Sequence, residues 1–197
     1  MSDKGLSYYI IDTETNGLKP GWHEVTEISI IRCADRHQLT RQVAIKHPER
    51  SAEQALAITG KTIPDLLSGD SKADVIKACE EFFAQDGKDP EGRCIIAHRA
   101  SFDKNFCYAM WEEFNKNFPA INWMDTIKFA RIWAEKIGRK PENFKLPTVL
   151  KFAGIKPMPG QHNASSDARN TYLLWKKGMD EGVGHLPAIK VYRHSLN

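Results

Sequence analysis

The chain has 197 residues, 41 % of them hydrophobic, with 28 Lys+Arg against 25 Asp+Glu and a formal net charge of +3. Nine Phe, five Tyr and five Trp can fill a core, which excludes a disordered chain, and the length suits one domain. A charge of +3 excludes histone-like binding of nucleic acid by bulk charge, while leaving room for a local patch directed at phosphates. No run of about 18 apolar residues is present, so no membrane-spanning helix is expected, and MSDKGLSYYI lacks the apolar stretch of a signal peptide. These features point to the cytoplasm, or to a virus-encoded product acting there. Cys33, Cys79, Cys94 and Cys107 form no C-x-x-C pair and read as reduced core thiols rather than zinc ligands or disulfides.

Residues 8–12 (YYIID) form a short apolar run ending in an acid, which predicts a buried strand. Residues 24–33 alternate well enough for a second strand, Asp35-Arg36-His37 reads as a turn, and 38–46 returns as a hairpin partner. Ser51 is expected to cap one helix, and Ser71 another that runs through Gln85. Residues 93–97 (RCIIA) predict another buried strand, after which Ser101 is expected to cap a long helix ending at Pro119. Phe102, Phe106, Met110 and Phe114 would form its apolar face. A short strand, INWM, leads to Asp125 as the cap of the next helix, and Leu146 to Ala153 is a short helix. A last amphipathic helix runs from about Ala164 to Met179, with Asn163 as its cap. The order gives an α/β domain with an antiparallel front and a parallel back over 1–180. Residues 181–197 are left as a C-terminal tail, too short for a second domain.

Three groups of residues could carry chemistry. Asp12 and Glu14, in IIDTETNGL, stand two apart at a strand end, which puts both carboxylates on one face. Such a pair repels itself unless a cation sits between, and all-oxygen ligation suits Mg²⁺ or Mn²⁺ rather than zinc. D-T-E-T-N-G is equally good turn chemistry. Asp103, in AHRASFDKNF, falls on the first turn of a helix, where the dipole alone favours an acid. His162 and Asp167, in PGQHNASSDARNTYLLW, bracket the start of the last helix. A loop histidine usually serves only surface solvation, but beside a metal-held water an imidazole can accept a proton at neutral pH.

Taken in order, strand-end D-x-E, strand-loop-helix F-D and loop-helix H-x-x-x-x-D resemble the three motifs of the DEDDh, or DnaQ-like, 3′–5′ exonucleases. MDTIKFARIWAEK, KLPTVLKFAGI and SSDARNTYLLW are similar to further segments of that family, so the resemblance covers about residues 7–177. IDTETNGL points most towards the exonuclease X and proofreading branch. The resemblance implies a ribonuclease H-like fold, a central five-stranded mixed sheet with three antiparallel strands, then parallel ones, flanked by helices. It implies two Mg²⁺ or Mn²⁺ ions held by Asp12, Glu14, Asp103 and Asp167, with Asp12 bridging and Asp103 serving the second ion. His162 would be the general base. Thr13, Thr15, Leu18, His98, Arg99 and Phe102 would meet the substrate, Leu18 as a wedge between the last two bases and Phe102 against the terminal nucleotide.

Two departures touch substrate positioning. Arg99 stands where many members have the Asn of H-N-A-S-F-D, and Ile58-Thr59-Gly60-Lys61-Thr62 lacks the histidine of I-H-G-I-T. Arg139, Lys140, Lys145, Lys151 and Lys156 read either as solvated loop charge or as a path for a single-stranded backbone. The implied activity is release of nucleoside 5′-monophosphates from the 3′ ends of single-stranded or frayed DNA. Trimming of RNA ends and a non-catalytic, polymerase-tethering module are the alternatives. A homodimer or a polymerase or repair partner is open.

Overall fold

The structure, a computed structural model, describes residues 5–160, 162–182 and 192–193. Three strands form its antiparallel front: β1 (Ser7–Thr15), β2 (Val25–Arg32) and β3 (Gln38–Gln42). β4 (Arg93–Ala97) runs parallel to β1, and β5 (Asn122–Asp125) parallel to β4. These are the five strands of the mixed sheet expected from the sequence. Within the tail, a two-residue strand β6 (Tyr192–Arg193) pairs antiparallel with β5, giving the order β3-β2-β1-β4-β5-β6. No helix among the described residues is long and apolar enough to cross a membrane.

The described residues form seven α-helices: α1 (Glu53–Thr59), α2 (Ile63–Leu67), α3 (Lys72–Ala84), α4 (Ala100–Glu112), α5 (Thr126–Lys136), α6 (Leu146–Phe152) and α7 (Ala164–Asp180). Strand alternation divides the core in two. Tyr9 and Ile11 of β1 face Phe83 of α3 and Phe106 and Trp111 of α4, whereas Ile10 faces Phe129 of α5, Leu150 of α6 and Leu174 of α7. All four cysteines are free, three of them buried.

Ser71, Asp125 and Asn163 cap their helices through side-chain oxygens that accept from Asp74 N, Ile127 N and Ser166 N. Ser51 does not cap; Ala52 holds that position, and the Ser51 hydroxyl accepts from Asn16 Nδ2 at 3.2 Å. Helix α4 likewise starts one residue before Ser101, with Arg99 as its cap residue at φ 69° and ψ 50°. It stops at Glu112, well before Pro119, because Asn115 turns left-handed at φ 55° and Lys116 N–H closes on Trp111 O. Strand β3 ends at Gln42 rather than 46, since Ala44 N–H turns away to Asp70 O. β1, in contrast, runs past Asp12 to Thr15, which keeps both acids of IIDTET on extended backbone.

Candidate active site

The period of β1 decides which acids meet. Asp12 and Glu14 share the face of Ile10, opposite Ser29 and Glu27 of β2, and this is the face that α7 covers. The first turn of α7 carries Asp167, and Gln38 of β3 docks this end by donating to Ser165 O and accepting from Arg169 Nε. Carboxylate oxygens of Asp12, Glu14 and Asp167 consequently lie within 4.8 Å of one another, all three groups half-buried.

Asp103 approaches from the other face. Its Oδ1 accepts two bonds from Thr13, one from the backbone N–H and one from the hydroxyl, both at 2.9 Å. Thr13 and Asp103 are both buried, so this latch fixes the first turn of α4 to the strand segment between the two acids. The cluster therefore comprises three acids that converge and a fourth held beside them by Thr13.

Electrostatics agree with that geometry. Burial raises the Asp12 carboxyl well above its ordinary value, and repulsion from Asp103, Asp167 and Glu14 adds to the rise. Burial, then Asp167 and Glu27, push Glu14 up to about 7, with Lys61 pulling the other way. Burial also lifts Asp103 to about 7 against the two Thr13 bonds, and it raises Asp167. All four carboxyls are thus raised, burial being the largest cause in each, and Lys61 beside Glu14 does not offset it. The donor set is all oxygen, which fits a hard divalent cation of the Mg²⁺ or Mn²⁺ type.

Residues 9–175 match the exonuclease family RNase_T, most of the chain. The chain belongs to this exonuclease family. Its members act on nucleic-acid ends. Over 172 residues it is 26 % identical to the PolC-type DNA polymerase III of Oceanobacillus iheyensis, a match covering 86 % of this chain and 11 % of that protein. The chain thus spans about a tenth of the length of that relative. Among solved structures, the nuclease domain of 3′hExo, a DEDDh family member bound to rAMP, superposes with a TM-score of 0.75 at 14 % identity, over 98 % of each chain. Escherichia coli exonuclease I in complex with a dT13 oligonucleotide gives 0.73 at 16 %, over 87 % of this chain and 40 % of that one. At these identities the two structures speak for the fold alone.

The remaining sequence-predicted residues are not all placed alike. His162 sits at φ 61°; its backbone N–H donates to Asp167 Oδ2 at 3.2 Å while the residue stays exposed. Leu18 is 75 % exposed at the tip of the β1–β2 loop, and the half-buried Phe102 packs on Phe106 with ring centres 4.8 Å apart. Three residues expected at the substrate have their side-chain polar groups bonded within the chain. The Thr13 hydroxyl belongs to Asp103, and the buried Thr15 hydroxyl donates to Gly17 O at 2.6 Å. His98 is engaged at both nitrogens, Nδ1 with Thr126 Oγ1 at 2.8 Å and Nε2 with Phe144 O at 2.9 Å. Because a carbonyl only accepts, Nε2 carries the proton and Nδ1 accepts from the threonine. Burial also lowers the imidazole pKa. His98 thus staples the end of β4 to the loop before α6 as a neutral ring.

Arg99 is exposed, and its backbone N–H donates to Asp125 Oδ1 at 3.2 Å. Arg139, Lys140, Lys145, Lys151 and Lys156 are all exposed, the first two lining a cleft of about 490 Å³ with Phe144. Sequence reasoning missed Glu27 and Lys61. Glu27 is 1 % exposed beside Glu14 and forms an ion pair at 2.8 Å with Lys61, the lysine of the segment that lacks a histidine. Its signal was the alternation of VTEISII, which puts Glu27 and Ser29 on one face.

Proposed function

We propose that this exonuclease hydrolyses single-stranded or frayed DNA from the 3′ end and releases nucleoside 5′-monophosphates, with two Mg²⁺ or Mn²⁺ ions. The observation that carries this reading is the convergence of Asp12, Glu14 and Asp167 within 4.8 Å. Together with Asp103, these side chains would hold the cations. When bound, such ions neutralise the carboxylates and stabilise charge on the attacking and leaving oxygens of a phosphodiester. Thr13 keeps Asp103 in register with Asp12, so the acid from α4 moves with the strand. His162, tethered to Asp167 through its backbone, would hold the proton taken from the attacking water. Leu18 would divide the last two bases, and Phe102 would pack against the terminal one. Exposed Arg99 and the basic cleft of Arg139 and Lys140 suit the phosphate backbone.

The polymerase relative and the oligonucleotide in exonuclease I favour DNA, and the first also favours a polymerase partner. The rAMP in 3′hExo favours trimming of RNA, the second reading. Residues 1–180 would form the working domain.

The test is a 5′-labelled oligonucleotide assay with Mn²⁺, using matched DNA and RNA. Asp12→Ala is expected to lower the rate at least ~10³-fold, since one metal-catalysis element is worth several kcal/mol. Unchanged turnover in that variant, or in EDTA, refutes the assignment, and a strong RNA preference selects the second reading. His162→Ala should lose rate while retaining Mn²⁺ affinity; equal loss of both would remove it as the base.

A further inference from the structure

The loop between β1 and β2 is braced from within. Asn16 Oδ1 accepts the Glu24 N–H at 2.6 Å, and Asn16 N–H donates to Glu24 O at 3.0 Å, which closes its base. The His23 ring lies against Gly17, where a Cβ would come within 2.2 Å of it, and its Nδ1 accepts the Lys19 N–H at 2.9 Å. This stiff loop holds two large apolar side chains in solvent, Leu18 at 75 % exposure and Trp22 at 53 %. An indole offers a broad apolar surface, so leaving it in water forgoes burial that a partner would recover. Leu18 would serve as the wedge, which leaves the exposure of Trp22 to be explained.

The Arg50 guanidinium lies 4.1 Å from the Trp22 ring centre, closer than Arg131 to Phe144 at 5.0 Å or Lys46 to Phe114 at 5.3 Å. Trp22 and Arg50 also line a cleft of about 400 Å³ behind the loop, with His47 on its wall and Phe106 and Met110 of α4 on its floor. Lys72 in this cleft is neutralised by Glu24 and Glu113, each at 2.6 Å, and Lys46 is paired with Glu113. Arg50 is paired more loosely, with Glu49 at 3.7 Å, and so keeps more of its charge for a ligand at the rim. Phe106 and Met110 follow Asp103 by three and seven residues on α4, roughly 5 and 10 Å along the helix. That span is about three stacked bases.

From these observations we infer that Trp22 and Arg50 form a stacking platform for a base of the single strand upstream of the scissile linkage, beyond Leu18 from the acids. The Arg50 guanidinium covers the indole and meets the adjoining phosphate. Aromatic rings take any base in this way, so the platform adds length preference rather than sequence preference. The inference rests on the nucleic-acid reading above.

The test compares a substrate without upstream bases, thymidine 5′-(4-nitrophenyl) phosphate, with tetra- and octathymidylate, using the full chain and Mn²⁺. For Trp22→Ala, the ratio of kcat/KM on tetrathymidylate to that on the ester should fall at least about 5-fold through KM, as expected for one lost base stack. Trp22→Phe should recover most of that ratio, and Arg50→Ala should lose part of it. In an Asp12→Ala background, octathymidylate should quench tryptophan fluorescence, and adding Trp22→Phe should remove that quench. An unchanged ratio overturns the platform and leaves Trp22 as a contact for another protein. Equal losses on ester and oligomer also overturn it, since they mark a merely structural loop residue. Wild-type protein inactive on both substrates defeats the exonuclease reading instead, and the quench with the Asp12→Ala protein then decides the platform alone.

Discussion

Replacing Glu14 by Gln should stabilise the metal-free protein, and more so as the pH rises. Burial, Asp167 and Glu27 lift this carboxyl from an ordinary value of 4.5 to about 7. The folded chain therefore keeps a proton that the unfolded chain has already released between those two values. Stability conferred by the protonated group is complete below about pH 4 and lost as the pH climbs to 7; above that the penalty is constant. Each pH unit across the interval costs about 1.4 kcal/mol, so the full penalty is about 3 kcal/mol. Gln keeps the size and removes the charge. A gain of about 2–3 kcal/mol in a chain of this size corresponds to about 4–12 °C in Tm. Thermal unfolding in EDTA at pH 5 and pH 8 reads it directly, as the gap between variant and wild type. The gap should be small at pH 5 and wide at pH 8. Addition of Mn²⁺ should then raise the Tm of wild type more than that of Glu14→Gln. A gap equal at both pH values, or a variant less stable at pH 8, would refute the claim that repulsion strains this cluster.

Two further substitutions separate scaffold from chemistry. His98→Phe leaves Phe144 O without its partner and Thr126 Oγ1 with Ala97 O alone, which should cost about 2 kcal/mol in urea unfolding while Mn²⁺ affinity stays the same; a loss of Mn²⁺ affinity at unchanged stability would return His98 to the site. Arg99→Gly should stabilise the fold by about 1 kcal/mol, because φ 69° is left-handed backbone that glycine adopts without a Cβ clash. A loss of stability would mean that contacts of the arginine side chain outweigh the backbone strain.

What was legible in the sequence is local. Ser71, Asp125 and Asn163 announce helix starts because a short polar side chain three or fewer residues ahead satisfies a free N–H. Asp12 and Glu14 announce a shared face because strand alternation is strict. Ser51 and Ser101 satisfy the same local rule and fail, the first because Asn16 claims its hydroxyl, the second because the chain turns into the helix at Arg99. Thr13 and His98 were expected at the substrate, and their side-chain bonds escaped the sequence for a similar reason. Each is committed to a partner distant in sequence, Thr13 to Asp103, 90 positions away, and His98 to Phe144, 46 away. Trp22 was invisible because exposure, not type, makes it unusual.

The position of the site follows from where the β1–β4 ladder stops. β1 pairs with antiparallel β2 through Thr15, but with parallel β4 only as far as Ile10 and Ile96. Past that point the β4 edge of β1 is open, and the Thr13 N–H on it has no strand to meet. Asp103 takes the place of the missing strand, accepting that N–H and the Thr13 hydroxyl together. Farther back in the strand a carboxylate on α4 would be separated from Asp12 and Glu14 by the sheet itself, since the two faces are sealed by the ladder. Only at its end can acids from both faces approach one another. That end lies between an antiparallel and a parallel neighbour, the kind of switch point at which open α/β sheets bind ligands outside their strand carboxyl ends. The same break in pairing that exposes a backbone donor therefore brings the fourth carboxylate to the other three.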